Sequence, residues 1–367
     1  MKRSRIVYFL FLFSGITALI YEVVWTRMLT LAFGHTVFSV SIVLASFMAG
    51  LGFGSYFSGH AINHIGGKKT QSDSSSLSRE FSEDLGTSSL LLIYGWIEIA
   101  LFLLCLVVSL ILFKFSVIYS WFSFFVPESI VVQNIFKSFL AFILMFVPAS
   151  LMGATLPIIS QYYITDNIKL DARLGLLYGI NTFGAALGCL LAGFFLIANF
   201  GVLQTVLGAA LLNLFVGISA IRIYQESVES SRGLRFPHFT IPKISWEGDQ
   251  WLWIVVSFVC GFTALSYEVL WTRLLIFSTS STVYSFSMML GVFLIGIALG
   301  SFLVVFVFRS SLNLRTVLIL LQAGIGLYVI GSLYNMEQLL STPWNGYNLQ
   351  KPAFVFWRYF LDSSALM

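Results

Sequence analysis

The chain reads as an all-α polytopic membrane protein, a parallel repeat of six-helix bundles whose second copy is incomplete. Three observations predict this. Charged residues occupy only 10% of the 367 positions, while 58% are apolar and 17% aromatic, whereas a soluble domain carries about a quarter charged residues. Several apolar runs are long enough to cross ~30 Å of hydrocarbon at ~1.5 Å per residue. A segment near the N-terminus also recurs 246 positions later. The same composition excludes a disordered chain and a disulfide-stapled domain. Cys105, Cys189 and Cys260 all lie within apolar runs and read as small buried residues. The net charge of +4 follows from basic residues gathering in cytoplasmic loops and does not point to nucleic acid.

Complete spans are expected at 6–32, 36–60, 89–113, 137–157, 172–198, 202–222, 250–277, 282–308 and 314–335, with a tenth beginning near 353. The first follows MKRSR but is too long for a signal peptide, lacks a small-x-small cleavage site, and returns later as an internal span. With the N-terminus inside, fourteen of the 20 Lys and Arg residues fall on the inner side. These include Lys2, Arg3, Arg5, Lys68, Lys69 and Arg222. The outer side holds Lys114, Lys137, Lys351 and Arg358, with Arg27 and Arg273 at outer helix ends. This bias predicts a cytoplasmic N-terminus.

Between spans, residues 70–87 are polar and Ser-rich and read as a flexible inner loop. Residues 224–249 form a polar cytoplasmic linker containing Pro237 and Pro242. The aromatic stretch 115–133, interrupted by Pro127, is expected to lie along the membrane interface, a depth that Trp and Tyr prefer. Pro148 and Pro157 should kink the fourth span.

Residues 15–55 and 261–301 align without a gap, and 20 of the 41 positions are identical. GITALIYEVVWTRMLTLAFGHTV becomes GFTALSYEVLWTRLLIFSTSSTV. Shared Leu and Val are common by chance in apolar sequence; Tyr, Glu, Trp, Thr and Arg in one order are not. The copy begins six spans after the original, so both take one orientation, the parallel-repeat arrangement of major facilitator transporters. The first repeat is then 1–223 and the second 250–367. The second contains three full spans and the start of a fourth, where RYFLDSSALM at 358–367 loosely matches KSFLAFILMF at 137–146. A span ending midway leaves backbone groups unsatisfied in lipid, so the chain is expected to be a fragment of a longer protein.

The paired YEVxWTR motifs carry a family resemblance, together with AGLGFGSYFSG at 49–59, PASLMGATLP at 148–157 and GLLYGINTFGAALGCLLAGFFLIANFG at 175–201. Over essentially the whole chain they resemble the membrane domain of bacterial fused major-facilitator/spermidine-synthase proteins. That resemblance implies a cytoplasmic, C-terminal aminopropyltransferase-like Rossmann domain in the full-length protein. No strand with a G-x-G-x-G turn is present here to bind its cofactor. Gly50, Gly52 and Gly54 lie mid-helix and read as packing residues. The segment Gly59 to Lys69 resembles the facilitator loop G-x-x-x-D-R-x-G-R-R-K, with Asn63 and His64 at the Asp and Arg positions. Its other reading is an ordinary basic loop.

Acids inside spans are costly unless paired or in a wet cavity, which makes them functional candidates. Glu22 and Glu268 are equivalent across the repeat, each with Tyr one residue before, Trp three after and Arg five after. Five helical steps set Glu22 and Arg27 ~140° apart, so neither Glu is placed to pair with its own Arg. Crosswise pairs, Glu22 with Arg273 and Glu268 with Arg27, are open to a pseudo-twofold bundle. One reading makes this a central cation site, with Glu22 and Glu268 for charge and Tyr21, Trp25, Tyr267 and Trp271 for cation–π contact, suited to a polyamine. The other makes it a structural ion-pair and interface-anchor motif. Glu98, matched by Gln322 in the second repeat, either lines a path or makes an interhelical hydrogen bond. Asn181 and Asn213 read as helix-bonding amides, and Gly184 and Gly188 form a small-xxx-small face. His35, His60, His64 and His238 are scattered, so no metal, cofactor or nucleophile constellation is expected. The expected partners are the lipid bilayer and a small cationic substrate. Two functions compete: a module that transports or binds a polyamine-related cation, or a non-transporting anchor for the synthase domain.

Overall fold

A computed structural model of the chain describes residues 2–34, 36–66, 76–122, 124, 126–127, 129–163, 170–228, 250–279, 282–307 and 314–341. It contains α1 (Lys2–Phe33), α2 (Thr36–Gly66), α3 (Ser76–Phe113), α4 (Phe115–Phe122), α5 (Ile130–Tyr163) and α6 (Leu170–Leu191). A π-helical turn (Ala192–Leu196) leads into α7 (Ile197–Val228), and α8 (Gln250–Thr279), α9 (Thr282–Val307) and α10 (Leu314–Ser341) follow. Seven apolar stretches are long enough to cross a membrane. They are Arg5–Phe33, Phe38–Ala61, Ser89–Phe113, Ile130–Tyr162, Leu174–Glu226, Trp251–Ile276 and Val283–Leu303. A multi-pass α-helical membrane protein is the class this defines.

Several boundaries differ from expectation. The separation expected between 172–198 and 202–222 is kept inside one 53-residue apolar stretch, which as a straight helix would measure ~80 Å, far beyond a bilayer. It breaks at Gly201 (φ 79°, ψ 174°), a conformation that side-chain-bearing residues avoid. The ninth expected span appears as α10, whose described apolar part is the shorter Thr316–Ser332. The tenth lies outside the described residues. Residues 76–87, expected as a flexible loop, are the helical start of α3. Leu77, Arg79, Glu80, Glu83 and Leu85 are good helix formers, and polarity alone does not end a helix. For the same reason α7 runs on to Val228, into the expected linker, of which 229–249 lie outside the described residues. The segment from Gly59 is helical through Gly66, and 67–69 lie outside the described residues. The interfacial stretch holds the short α4, and α5 starts at Ile130 and continues through Pro148 and Pro157.

Contacts between small residues set the helix directions. Gly184 abuts Leu12 and Gly188 abuts Ile16, so α1 and α6 run parallel. Trp25 and Tyr94 tie α1 to α3 in the same sense, through Ser109 and Leu10 respectively. A Cβ on Gly95 would lie 2.7 Å from Ile221, and one on Gly217 would lie 2.8 Å from Ile99, so α3 and α7 are antiparallel. It follows that the chain folds back at Gly201. Gly50 against Ala149 and Gly54 against Ser150 lay α2 along α5, whereas Gly52 meets nothing within 4 Å. Gly179 against Phe302 and Gly291 against Leu190 make α6 and α9 antiparallel. At the first hairpin Gly34 (φ 68°) closes α1, its N–H donating to the Thr30 carbonyl at 3.1 Å. Because lipid is as apolar as Leu, such close backbone approach is the main source of cohesion between these helices. The largest core surrounds Tyr21, Trp25 and Phe47, where α1, α2, α3 and α5 meet. By contrast α8 turns Trp251, Phe258, Phe262 and Leu270 outward.

Candidate functional site

Helix α1 carries two sets of polar groups on different faces, and the repeat motif supplies both. On one face lies Glu22, 1% exposed, with no hydrogen-bond partner for its Oε1. The structure brings it within electrostatic reach of Glu268 on α8. Glu268 is fully buried, and neither of its carboxyl oxygens has a hydrogen-bond partner. Cys189 of α6 senses both carboxyls, and its thiol donates to the Ser287 carbonyl of α9 at 3.3 Å. Four helices thus converge on the pair.

Other orphaned groups lie close to these elements. Thr272, one turn beyond Glu268, has a buried hydroxyl without a partner, and so does Ser287. Ser287 presses on Gly193 in the π-helical turn, where a Cβ would collide with its side chain. Such turns leave part of the backbone ladder irregular and recur at functional sites. Thr26, the repeat counterpart of Thr272, instead donates to the Glu22 backbone carbonyl at 2.8 Å. The two copies of the motif therefore fold into different local arrangements.

The aromatic residues do not form the expected box around the carboxyls. Tyr21 and Trp25 stack on one another, with centroids 5.6 Å apart, and Phe47 covers Trp25 at 5.6 Å. Trp25 Nε1–H donates to Ser109 Oγ of α3 at 2.8 Å, which locks the indole into the first repeat. Helical geometry explains this: Tyr21 and Trp25 are four residues apart and share a face, while Glu22 sits ~100° from Tyr21. Trp271 packs with Leu275 and Met289, and Tyr267 is half-buried beside them. Arg27 is half-buried and Arg273 exposed. The orphaned oxygens of Glu268 mean that its crosswise pair with Arg27 is not formed.

On the other face of α1, Glu98 of α3 is fully buried, and both its carboxyl oxygens lack a hydrogen-bond partner. Ser14 and Tyr94 flank it, but the Tyr94 hydroxyl donates to the Leu10 carbonyl at 3.4 Å. Tyr21 and Cys105 also interact with the Glu98 carboxyl, and the Tyr21 hydroxyl has no hydrogen-bond partner. Gln322 does not share this setting. It is exposed on α10 and donates to Cys260 Sγ at 3.4 Å. Asn181, expected as a helix-bonding amide, lies with its backbone carbonyl and side-chain oxygen against Gly15 of α1. Asn213, expected to bond between helices, is buried with neither amide atom partnered.

Sequence reasoning missed Cys189, Thr272, Ser287, Ser14 and Tyr94. The repeat held a signal for two of these, since Thr272 matches Thr26 and Ser287 matches Ser41. Comparison with protein-family models, with curated proteins and with solved structures finds no match for this chain.

Proposed function

We propose that this chain is a facilitator-like membrane module that binds, and moves across the bilayer, a small organic cation of the polyamine type between Glu22 and Glu268. Under this reading it holds a six-helix repeat and an incomplete second copy in the same orientation, and its N-terminus faces the cytoplasm of a bacterial inner membrane. One observation carries it: two motif-equivalent carboxyls lie in reach of each other in the interior with orphaned oxygens. Buried carboxyl oxygens without partners cost stability, so a fold that keeps two together does so for a ligand they attract. A cation bridging them would satisfy both charge and hydrogen bonding. Cys189, Thr272 and Ser287 offer further polar contacts around it.

A second reading has a specific observation in its favour. Tyr21 and Trp25 are occupied by packing and by Ser109, as befits a structural motif in a membrane anchor for an aminopropyltransferase-like domain. Uptake of labelled spermidine into proteoliposomes distinguishes the two. Transport at least tenfold above empty vesicles, lost in Glu22→Gln and Glu268→Gln with unchanged folding, supports the carrier. Background uptake by the wild-type chain favours the anchor.

A further inference from the structure

Glu98 belongs to neither of these readings, and its surroundings are unlike those of the carboxyl pair. It is fully buried with both oxygens unpartnered. Every group that reaches it is neutral: Ser14 and Tyr21 from α1, and Tyr94 and Cys105 from its own helix. Among the described residues, the other helices on α3 bring no cation. Residues 138–161 of α5 contain no titratable side chain, and Lys137 is held 4.5 Å above the Tyr119 ring. On α7, Arg222 and Glu226 are exposed and turned away from the interior. With no counter-ion reaching it among the described residues, a carboxylate here can be neutralised by a ligand small enough to enter a packed helix interface.

We propose that Glu98 is a proton-binding site, separate from the Glu22 and Glu268 pair and formed between α1 and α3. Binding is the transfer of one proton from the aqueous phase to a carboxylate oxygen. An O–H bond forms on the carboxylate as one O–H bond of hydronium breaks to leave water, and the charge at the site goes from −1 to zero. Tyr94 and Ser14 then flank a neutral acid, with Tyr21 in electrostatic reach of it. A proton suits the site better than a metal ion, because neutral hydroxyls and one thiol around a single carboxyl are too few hard ligands. The site does not depend on whether any organic cation is carried.

Infrared difference spectroscopy on the full chain in lipid vesicles tests this, without polyamine and over a range of pH. The expected result is a carboxylic-acid C=O band that appears as pH falls, shifts in heavy water, and is absent from Glu98→Gln. In Tyr94→Phe the band should move in frequency, because a neighbouring hydroxyl is gone. Glu98→Asp should move it without abolishing it, which covers the case in which Glu98→Gln folds poorly. The proposal is overturned if Glu98→Gln and wild type give the same pH difference spectrum. It is also overturned if sodium removes the acid band at constant pH, since the ligand is then a metal ion.

Discussion

Replacing Glu268 with Met is predicted to make the protein more stable and, on the proposed function, to abolish cation binding. Glu268 is wholly buried, and neither of its oxygens has a hydrogen-bond partner. A buried polar group in that state costs about 1–3 kcal/mol when neutral and more when charged. Met has similar length and no orphan acceptor, and a swap of comparable volume costs under ~1.5 kcal/mol in repacking. The net gain for Glu268→Met is then about 1–2 kcal/mol. Glu268→Gln should show no such gain, because the amide brings a donor and an acceptor that also need partners. The assay is unfolding in mixed micelles with rising fractions of denaturing detergent, followed by tryptophan fluorescence. Spermidine binding to the same preparations reports function. The opposite signs of the two effects mark a site kept for a ligand against the interest of the fold. If Glu268→Met destabilises by more than ~1 kcal/mol, the carboxyl has native partners and the reasoning fails.

Two further predictions concern how the helices hold together. Gly217→Ala places a Cβ 2.8 Å from the Gly95 carbonyl oxygen, whereas Gly208 on the same helix meets nothing within 4 Å. The first should destabilise by about 1–3 kcal/mol and Gly208→Ala should stabilise by roughly 0.5 kcal/mol; equal effects in the same unfolding assay contradict the α3 and α7 contact. Trp25→Phe, Ser109→Ala and their double variant should show a coupling of about 0.6 kcal/mol, and at most ~1.7 kcal/mol, from the Nε1–H to Oγ bond. A coupling indistinguishable from zero means that the bond does not form.

The parts legible in the sequence were those that depend on a residue's own chemistry. Apolar runs of sufficient length announced membrane helices, because each residue's transfer energy counts whatever its neighbours are. Gly184 and Gly188 announced close packing by their spacing, and the structure sets them against Leu12 and Ile16. Helix ends were less legible. The stretch from Ser76 to Ser89 is polar yet helical, whereas the break at Gly201 falls between the spans expected at 172–198 and 202–222.

The candidate site divides along the same line. By itself the sequence determined that Glu22, Glu268 and Glu98 would be buried acids, since a carboxyl within an apolar span has no water to reach. It also made Glu22 and Glu268 equivalent through the repeat. Only the tertiary structure decided which groups meet them. It set Glu22 near Glu268 and Cys189 while turning Tyr21 and Trp25 into the first repeat, away from any cation. It also left Gln322 exposed on α10 while Glu98 is enclosed between α1 and α3. The reason is that a helix presents neighbouring residues ~100° apart, so one motif can serve two interfaces. Which interface each side chain receives depends on the partner helices, and these lie tens or hundreds of residues away along the chain.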